Sequence, residues 1–242
     1  MFGLFKPFKN PITTDIHSHL IPSIDDGARD LNESIKLIKE LKKLGYKKLI
    51  TTPHIMSDGY KNTPQIINDG LYIVKKELKK QNIEIEIEAG AEYYVDDRLE
   101  DILKDSQLMI IFDKYILFET SYYARPLNLE KIVFDIFRYG YKPLLAHPER
   151  YRYIKDYKKE YYELKDLGVM FQVNINSFGG YYGKDAQIKA NFLNKEGLID
   201  FLGSDTHSSK QIQNLSKVIN SRVYKSIFKN NIILNESANL YQ

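Results

Sequence analysis

Strand-like runs alternate with helix-patterned stretches along most of this chain, and that serial order restricts the fold to a parallel sheet flanked by helices. The expected strands are Ile12–His17, Lys48–Thr52, Ile83–Glu88, Tyr115–Glu119, Pro143–His147, Val169–Asn174 and Ile199–Gly203. Among them, Ile83-Glu84-Ile85-Glu86-Ile87-Glu88 shows the plainest period of two. One helix is expected from Asp30 to Leu44, because Asp30-Leu31-Asn32-Glu33 is patterned like a capping box and Gly45 stops the run. Another starts at Thr63-Pro64, a capping hydroxyl before a first-turn proline, and runs to about Lys80. Further helices fit Asp97–Lys104, Leu129–Tyr139, Lys155–Leu167 and Lys184–Glu196.

Seven such strands, spaced by roughly 30 residues, match the period of a (β/α) barrel. An open doubly wound sheet competes with it, but no GxGxxG follows the first strand and no P-loop glycine pattern occurs. We find no linker, internal repeat or low-complexity stretch in the 242 residues, so a single domain over 1–242 is expected. Residues 1–11 form a short N-terminal arm whose Phe2, Leu4, Phe5 and Phe8 are expected to pack on their own domain.

Composition narrows the chemistry. The 35 Lys and Arg against 32 Asp and Glu give a net charge of +3, and the basic residues are spread rather than blocked. That distribution is not the footprint of a duplex-DNA binder, so no nucleic-acid partner is expected. The chain has no cysteine, which excludes disulfides, thiolate metal sites and every cysteine-nucleophile route, including the thiolate route to phosphotyrosine hydrolysis. Lys6, Pro7, Lys9 and Pro11 interrupt the apolar N-terminal stretch, and no window approaches the ~20 apolar residues of a membrane span. The expected location is therefore cytoplasmic, with no integral membrane segment.

All five histidines follow expected strands. His17 and His19 lie in Asp15-Ile16-His17-Ser18-His19, His54 closes Thr52-Pro53-His54, His147 heads His147-Pro148-Glu149-Arg150, and His207 ends Ser204-Asp205-Thr206-His207. In a barrel the C-terminal ends of the strands are the face where distant parts of the sequence converge. Carboxylates take equivalent places: Glu92 after Gly90-Ala91, Glu119 at the end of its strand, Asp205 beside His207, and Asp25 and Asp26 in the loop after the first strand. Any one of these has an ordinary structural use, such as an Asx turn before Gly27 or a strand-end ion pair. His17 and His19 are different, because alternate residues of an extended segment point the same way and can meet one ion. Imidazoles and carboxylates without thiolates suit Mn, Fe, Zn or Mg, and so many donors exceed the needs of one ion. A cluster of two or three divalent ions is expected.

The ordered set of an HxH pair, a TPH histidine, a GAE glutamate, the Ala146-His147-Pro148-Glu149-Arg150 histidine and Ser204-Asp205-Thr206-His207 resembles the PHP (polymerase and histidinol phosphatase) superfamily of metal-dependent phosphoesterases. Within it, Asp15 to Leu20, Asp25-Asp26-Gly27, Gly90-Ala91-Glu92-Tyr93-Tyr94 and Gly203 to His207 resemble the bacterial CpsB/YwqE-type tyrosine-protein phosphatases of capsule and exopolysaccharide operons. The resemblance runs from Asp15 to about Ser209. It implies a distorted seven-stranded (β/α) TIM-like barrel with three metal ions, Mn first among Mn, Fe, Mg and Zn, at the C-terminal face of the strands. It places His17, His19, Glu92 and Asp205 on the first ion, Glu92, Glu119 and His147 on the second, and Asp26, His54 and His207 on the third. It implies a metal-dependent hydrolase of phosphotyrosine, with the tail of a bacterial tyrosine kinase as its protein partner.

Without a cysteine, phosphomonoester hydrolysis needs a water acidified at the ions, which also clamp the phosphoryl oxygens. Asp205 and His207 are thus expected to be catalytic through the metal site. Arg150, three residues beyond His147, is the expected planar clamp on the phosphate, its other reading being a surface arginine. The family often has a further arginine after SDxH, where this chain offers only Lys210, which is expected to bind the substrate as a point charge although it cannot reproduce a fork. Tyr93, Tyr94, Tyr122, Tyr123, Tyr151, Tyr153, Phe178, Tyr181 and Tyr182 flank the presumed mouth and could receive a phenyl ring or serve packing. Two rival functions stand beside the phosphatase: another PHP phosphoesterase, such as a histidinol-phosphate phosphatase, and a non-catalytic binding protein stabilised by its metals.

Overall fold

The computed structural model describes residues 10–104 and 108–236. It contains nine strands: β1 (Thr14–Asp15), β2 (Lys48–Thr51), β3 (His54–Ile55), β4 (Glu86–Ala89), β5 (Glu92–Tyr94), β6 (Tyr115–Glu119), β7 (Lys142–Ala146), β8 (Met170–Asn174) and β9 (Phe201–Gly203). All pairings between them are parallel, in two sheets ordered β1-β2-β4 and β3-β5-β6-β7-β8-β9.

Seven of these overlap the expected strands, and the short β3 and β5 are additions that follow the second and third of them. The second expected strand ends as β2 before Thr52-Pro53, because proline has no N–H to give the ladder, and β3 resumes beyond it. The third is displaced toward its C-terminus as β4, and β5 follows it beyond Gly90-Ala91. Gly90 has Ile111 so close that an added Cβ would lie 3.1 Å from its side chain. The result is a distorted TIM-like barrel whose ladder is split into two open sheets. The segment after β1 links them: Asp205 N–H donates to His17 O (2.8 Å), His19 N–H to Thr206 O (3.0 Å) and Thr52 N–H to Ser18 O (2.7 Å).

The helices are α1 (Leu31–Lys43), α2 (Pro64–Lys80), α3 (Leu99–Ile102), α4 (Leu129–Arg138), α5 (Tyr157–Asp166), α6 (Ile175–Phe178), α7 (Lys184–Lys195), α8 (Ser209–Ile219) and α9 (Arg222–Asn230). The expected start signals operate as chemistry: Asp30 accepts from Glu33 N–H at 2.9 Å, and Thr63 from Ile66 N–H at 3.3 Å. The helix expected over Asp97–Lys104 is reduced to the single turn of α3, and α6, α8 and α9 are additions to the expected set. The helices bury their apolar faces in a large core, while a smaller cluster takes Ile16, Ile50, Leu117, Leu144, Ala146 and Phe201 from five of the strands or their ends. Glu119 lies two residues beyond Leu117 on β6, so alternation carries it to the same face of the sheet. The arm residues Phe2, Leu4, Phe5 and Phe8 lie outside the described residues; Asn10, which follows them, is buried and accepts from the Tyr224 hydroxyl at 2.7 Å. No helix among the described residues is long and apolar enough to cross a membrane.

Candidate metal centre

Register alone assembles much of the site. His54 is the direct pairing partner of Glu92 across β3 and β5, and Tyr94 that of Glu119 across β5 and β6. The loops after β1, β7 and β9 supply the rest.

Glu92 is at the centre and fully buried. Its Oε2 lies 3.1 Å from His17 Nε2, 3.5 Å from His19 Nε2 and 3.2 Å from His54 Nδ1, while its Oε1 lies 3.0 Å from His147 Nε2. Asp205 Oδ1 is 3.5 Å from the Nε2 atoms of both His17 and His19 and 3.4 Å from His207 Nδ1. Glu119 stands 3.1 Å from His54 Nδ1 and 3.7 Å from His147 Nε2. Asp26 closes the far side, 3.4 Å from His54 Nε2 and 3.3 Å from His207 Nε2. All nine residues expected as metal ligands therefore converge. Four overlapping groups of donors result: His17, His19 and Glu92; His17, His147 and Asp205; His54, Glu92 and Glu119; and His19, Asp26, His54 and His207. His54 faces Glu92 and Glu119 with one nitrogen and Asp26 with the other, so the partition into three separate ligand sets is less clean than the sequence suggests.

The donor chemistry calls for cations. His17 Nδ1 lies 2.7 Å from Gln172 Oε1, and His19 Nδ1 lies 2.8 Å from Asp25 Oδ2. Each Nδ1 must be the donor to its oxygen, which in the neutral ring leaves both Nε2 atoms as lone pairs. Those two atoms are 3.3 Å apart and face carboxylate oxygens. His54 Nδ1 is buried without a hydrogen-bond partner while lying against two carboxylates. Lone pairs converging in a water-poor pocket repel unless a metal ion or a proton lies among them, and the set fits divalent ions. Burial by itself would depress the imidazoles, but the carboxylates prevail: His17 is raised by Glu92 and Asp205, His19 well raised by Asp25, and His54 pushed up to about 10 by Glu92, Asp26 and Glu119. Against their own burial, Glu92 and Asp205 are held well below the carboxylate range, chiefly by His17.

Supporting residues fix these atoms. Asp25 acts on His19 from behind, which separates its role from that of Asp26 at the cluster. Gly27 must be glycine, because an added Cβ would lie 2.2 Å from His19 O. Gly203 leaves equally little room, with Gln172 Nε2 2.5 Å and His17 Cβ 2.8 Å from such a Cβ. His147 and Asp205 both adopt positive φ, 34° and 50°, a strained conformation for side chains of this kind that the surrounding bonds hold in place. Ser204 donates its N–H (2.9 Å) and its hydroxyl (2.6 Å) to buried Asp15, anchoring the Asp205 turn to β1.

Arg150 reaches the cluster instead of solvent. Its Nη1 donates to Asp205 Oδ2 at 2.8 Å, and its guanidinium is 4.7 Å from the Tyr122 ring centre and 4.2 Å from that of Tyr182. Asn174 Nδ2 donates to the same Oδ2 at 2.6 Å and the Tyr182 hydroxyl at 3.3 Å. A cavity of about 290 Å³ opens over these groups, with Tyr122, Tyr181 and Tyr182 along its wall. Tyr151 and Tyr93 serve the fold instead: Tyr151 is buried, accepting from Thr120 N–H and donating to Ala146 O, and Tyr93 accepts from Met109 N–H. Lys210 does not join the site. It is exposed on the first turn of α8, and the cavity is lined at that point by Gln211, which donates to Asp205 O at 3.0 Å. Gln172 and Gln211 were not among the expected site residues; the polar alternation Gln172-Val173-Asn174 on β8 is the one sequence signal for the former.

The family model described as capsular polysaccharide synthesis, CpsB/CapC, matches residues 13–240. Tyrosine-protein phosphatase YwqE of Bacillus subtilis (strain 168) is 34% identical over 197 residues, 81% of this chain and 78% of that protein. Tyrosine-protein phosphatase CpsB of Streptococcus agalactiae serotype V is 30% identical over 202 residues, 80% of this chain and 82% of its own length. A solved structure from work on B. subtilis YwqE and Streptococcus pneumoniae CpsB, described as unique metal-dependent tyrosine phosphatases, superposes with a TM-score of 0.78 at 30% identity, covering 91% of this chain and 96% of that one. An amidohydrolase from Mycoplasma synoviae shares the fold at a TM-score of 0.54 and 14% identity, over 93% of this chain and 86% of its own. Matched over nearly its whole length, the chain belongs to the CpsB/CapC family.

Proposed function

We propose that this protein is a metal-dependent protein-tyrosine phosphatase. The observation that carries the reading is the position of Arg150, held against two tyrosine rings at the edge of a largely buried cluster of five histidines and four carboxylates. His17, His19, Glu92, Asp205, Glu119, His147, Asp26, His54 and His207 would hold two or three divalent ions, with manganese the first choice and Fe, Mg or Zn the alternatives. When bound, such ions acidify a water and neutralise charge on phosphoryl oxygens.

The protein's own groups do the positioning. Arg150 keeps N–H groups beyond the one given to Asp205, and its planar fork suits phosphoryl oxygens. Tyr122 and Tyr182 cover the guanidinium and so fix the direction in which its donors point. Gln172 and Asp25 set the tautomers of His17 and His19, keeping both Nε2 atoms available. A phenol leaves with a pKa of ~10 and needs less help from a general acid than an aliphatic alcohol does. The substrate we propose is a tyrosine-phosphorylated bacterial kinase that governs capsular or exopolysaccharide synthesis, in keeping with the activities named for the relatives.

Phosphate release from a phosphotyrosyl peptide and from histidinol phosphate tests this, each with added Mn, with chelator, and with His207→Ala. The reading expects the peptide to be hydrolysed preferentially and both chelator and substitution to abolish the reaction. Preference for histidinol phosphate, or metal binding without turnover of either, would overturn it.

A further inference from the structure

A second cavity, of about 400 Å³, adjoins the one over the metal centre and shares Arg150 and Tyr182 with it as lining. Its remaining polar wall comes from the loop after β7 and from the start of α7. Five cations line it, Arg150, Arg152, Lys155, Lys184 and Lys189, against the single carboxylate of Asp185. Asp185 is already engaged by Lys189 at 2.7 Å, and Lys189 also donates to Tyr151 O at 2.9 Å. No ion pair involves Arg152, Lys155 or Lys184 among the described residues. In a chain whose net charge is only +3, this is a local excess of positive charge beside the catalytic cavity.

The groove is also mechanically tied to that cavity. Arg152 donates its backbone N–H to Tyr122 O at 2.7 Å and holds its guanidinium 5.3 Å from the Tyr123 ring centre, while the neighbouring Tyr122 ring covers Arg150. A peptide whose phosphorylated side chain enters over Arg150 therefore has an unneutralised cationic surface within reach of its flanking residues.

We propose that Arg152, Lys155 and Lys184 form a second anion subsite, which holds an acidic or phosphorylated side chain flanking the phosphotyrosine in the same peptide. The inference rests on the phosphatase reading above and refines its substrate class to phosphopeptides carrying a second negative group. Because the three side chains are exposed and screened by salt, each contributes a modest share, about two- to threefold in affinity.

The test compares three phosphotyrosyl peptides of equal length, with flanking residues that are neutral, glutamate-rich, or include a second phosphotyrosine, alongside p-nitrophenyl phosphate. The wild-type protein is expected to show a lower KM for both anionic peptides than for the neutral one, and the Arg152→Ala/Lys184→Ala double variant to raise those KM values about four- to ninefold. The kcat values, and the KM for the neutral peptide and p-nitrophenyl phosphate, stay put. Charge reversal in Arg152→Glu/Lys184→Glu should transfer the preference to a lysine-flanked peptide, which a mere folding defect cannot do. A lower KM for the doubly phosphorylated peptide alone assigns the subsite to phosphate, and equal gains for both assign it to anionic side chains in general. Equal KM values for all three peptides in the wild type, or a uniform loss in the double variant, would overturn the subsite. If no substrate is turned over, the phosphatase reading fails separately, and fluorescence anisotropy with the same labelled peptides then decides the groove: equal affinities for neutral and anionic peptides refute it.

Discussion

Arg150 and Asp205 share a short charge-assisted hydrogen bond, Nη1 to Oδ2 at 2.8 Å, while Asp205 Oδ1 turns the other way toward His17, His19 and His207. One carboxylate thus connects the presumed phosphate clamp to the metal centre. Burial works against the charged form of Arg150, but Asp205 more than compensates and holds the guanidinium firmly protonated.

Removing the fork should be felt mainly in turnover. Arg150→Ala is expected to lower kcat/KM on a phosphotyrosyl peptide by about 10²–10³, the range seen when one preorganised donor to transition-state charge is lost. Arg150→Lys should recover little, because an ammonium cannot bond bidentately or lie flat between Tyr122 and Tyr182. Steady-state kinetics with both variants check this, and a lysine variant near wild-type activity would refute the fork.

How much of this was legible beforehand depended on whether a residue acts through sequence-local chemistry or through a partner elsewhere. His17 and His19 announce themselves by spacing, and Glu92, His147 and Asp205 by following strands. The end of β2 at Pro53 could have been read from proline's missing donor, yet the apolar pattern of Lys48–Thr52 gave no sign that a second short strand resumes at His54. Beyond the polar alternation on β8, nothing in the sequence marks Gln172, because its role lies in a hydrogen bond to a residue 155 positions away. Lys210 departs from its expected place for a local reason: on the first turn of α8 the charged side chain faces solvent and its neighbour Gln211 turns inward. Helix α8 supplies that geometry, and it was not anticipated.

Gln172 offers a test of the supporting layer. Its Oε1 accepts from His17 Nδ1 at 2.7 Å, and its Nε2 donates to Asn174 Oδ1 at 2.9 Å. Gln172→Ala should weaken metal affinity by about 10–100-fold while leaving the nine cluster residues in place. Competition with a fluorescent chelator measures this; an unchanged metal affinity would show that His17 needs no such orientation.

Overpacking at the same spot should disturb the fold itself. Gly203→Ala puts a methyl group against His17 Cβ and Gln172 Nε2, both fixed by their neighbours. The expected cost is about 1–3 kcal/mol, with a parallel loss of bound metal. Chemical denaturation and elemental analysis would read both, and a fully stable, fully loaded variant contradicts the close approach seen here.

Asp15 supplies the pH dependence most open to measurement. It is fully buried beneath Ser204, and burial pushes its carboxyl up to about 6 from an ordinary 3.8, against the lowering effect of the Ser204 hydrogen bonds. A folded-state pKa above the unfolded one means the protonated acid favours the native state. Its contribution is complete below about pH 4 and is lost as pH rises through about 6, amounting to about 3 kcal/mol in all. Asn mimics the neutral acid, so in metal-free protein the stability of Asp15→Asn relative to wild type should grow by that amount between about pH 4 and pH 7. Taking the difference removes the titration of the histidines, which both proteins share. A flat difference across this range would exclude the burial-driven shift.

Metal removal should destabilise the protein as well as silence it. In the metal-free state Glu92, Glu119, Asp26 and Asp205 crowd around imidazole lone pairs in a largely buried pocket, and only protons can offset that charge. Ions that bind the native state and not the unfolded chain add RT ln(1 + [L]/Kd), about 2.7 kcal/mol at a hundredfold excess over Kd. Chelation is therefore expected to lower Tm by several degrees, and added Mn to restore it together with activity. His17→Ala, which removes a donor shared by two of the ligand groups, should shrink both the Tm gain and the metal content per chain. Calorimetry with elemental analysis distinguishes the outcomes: a Tm insensitive to chelator in a protein that still loses activity would mean that the ions serve chemistry alone, and that the buried cluster is stable without them.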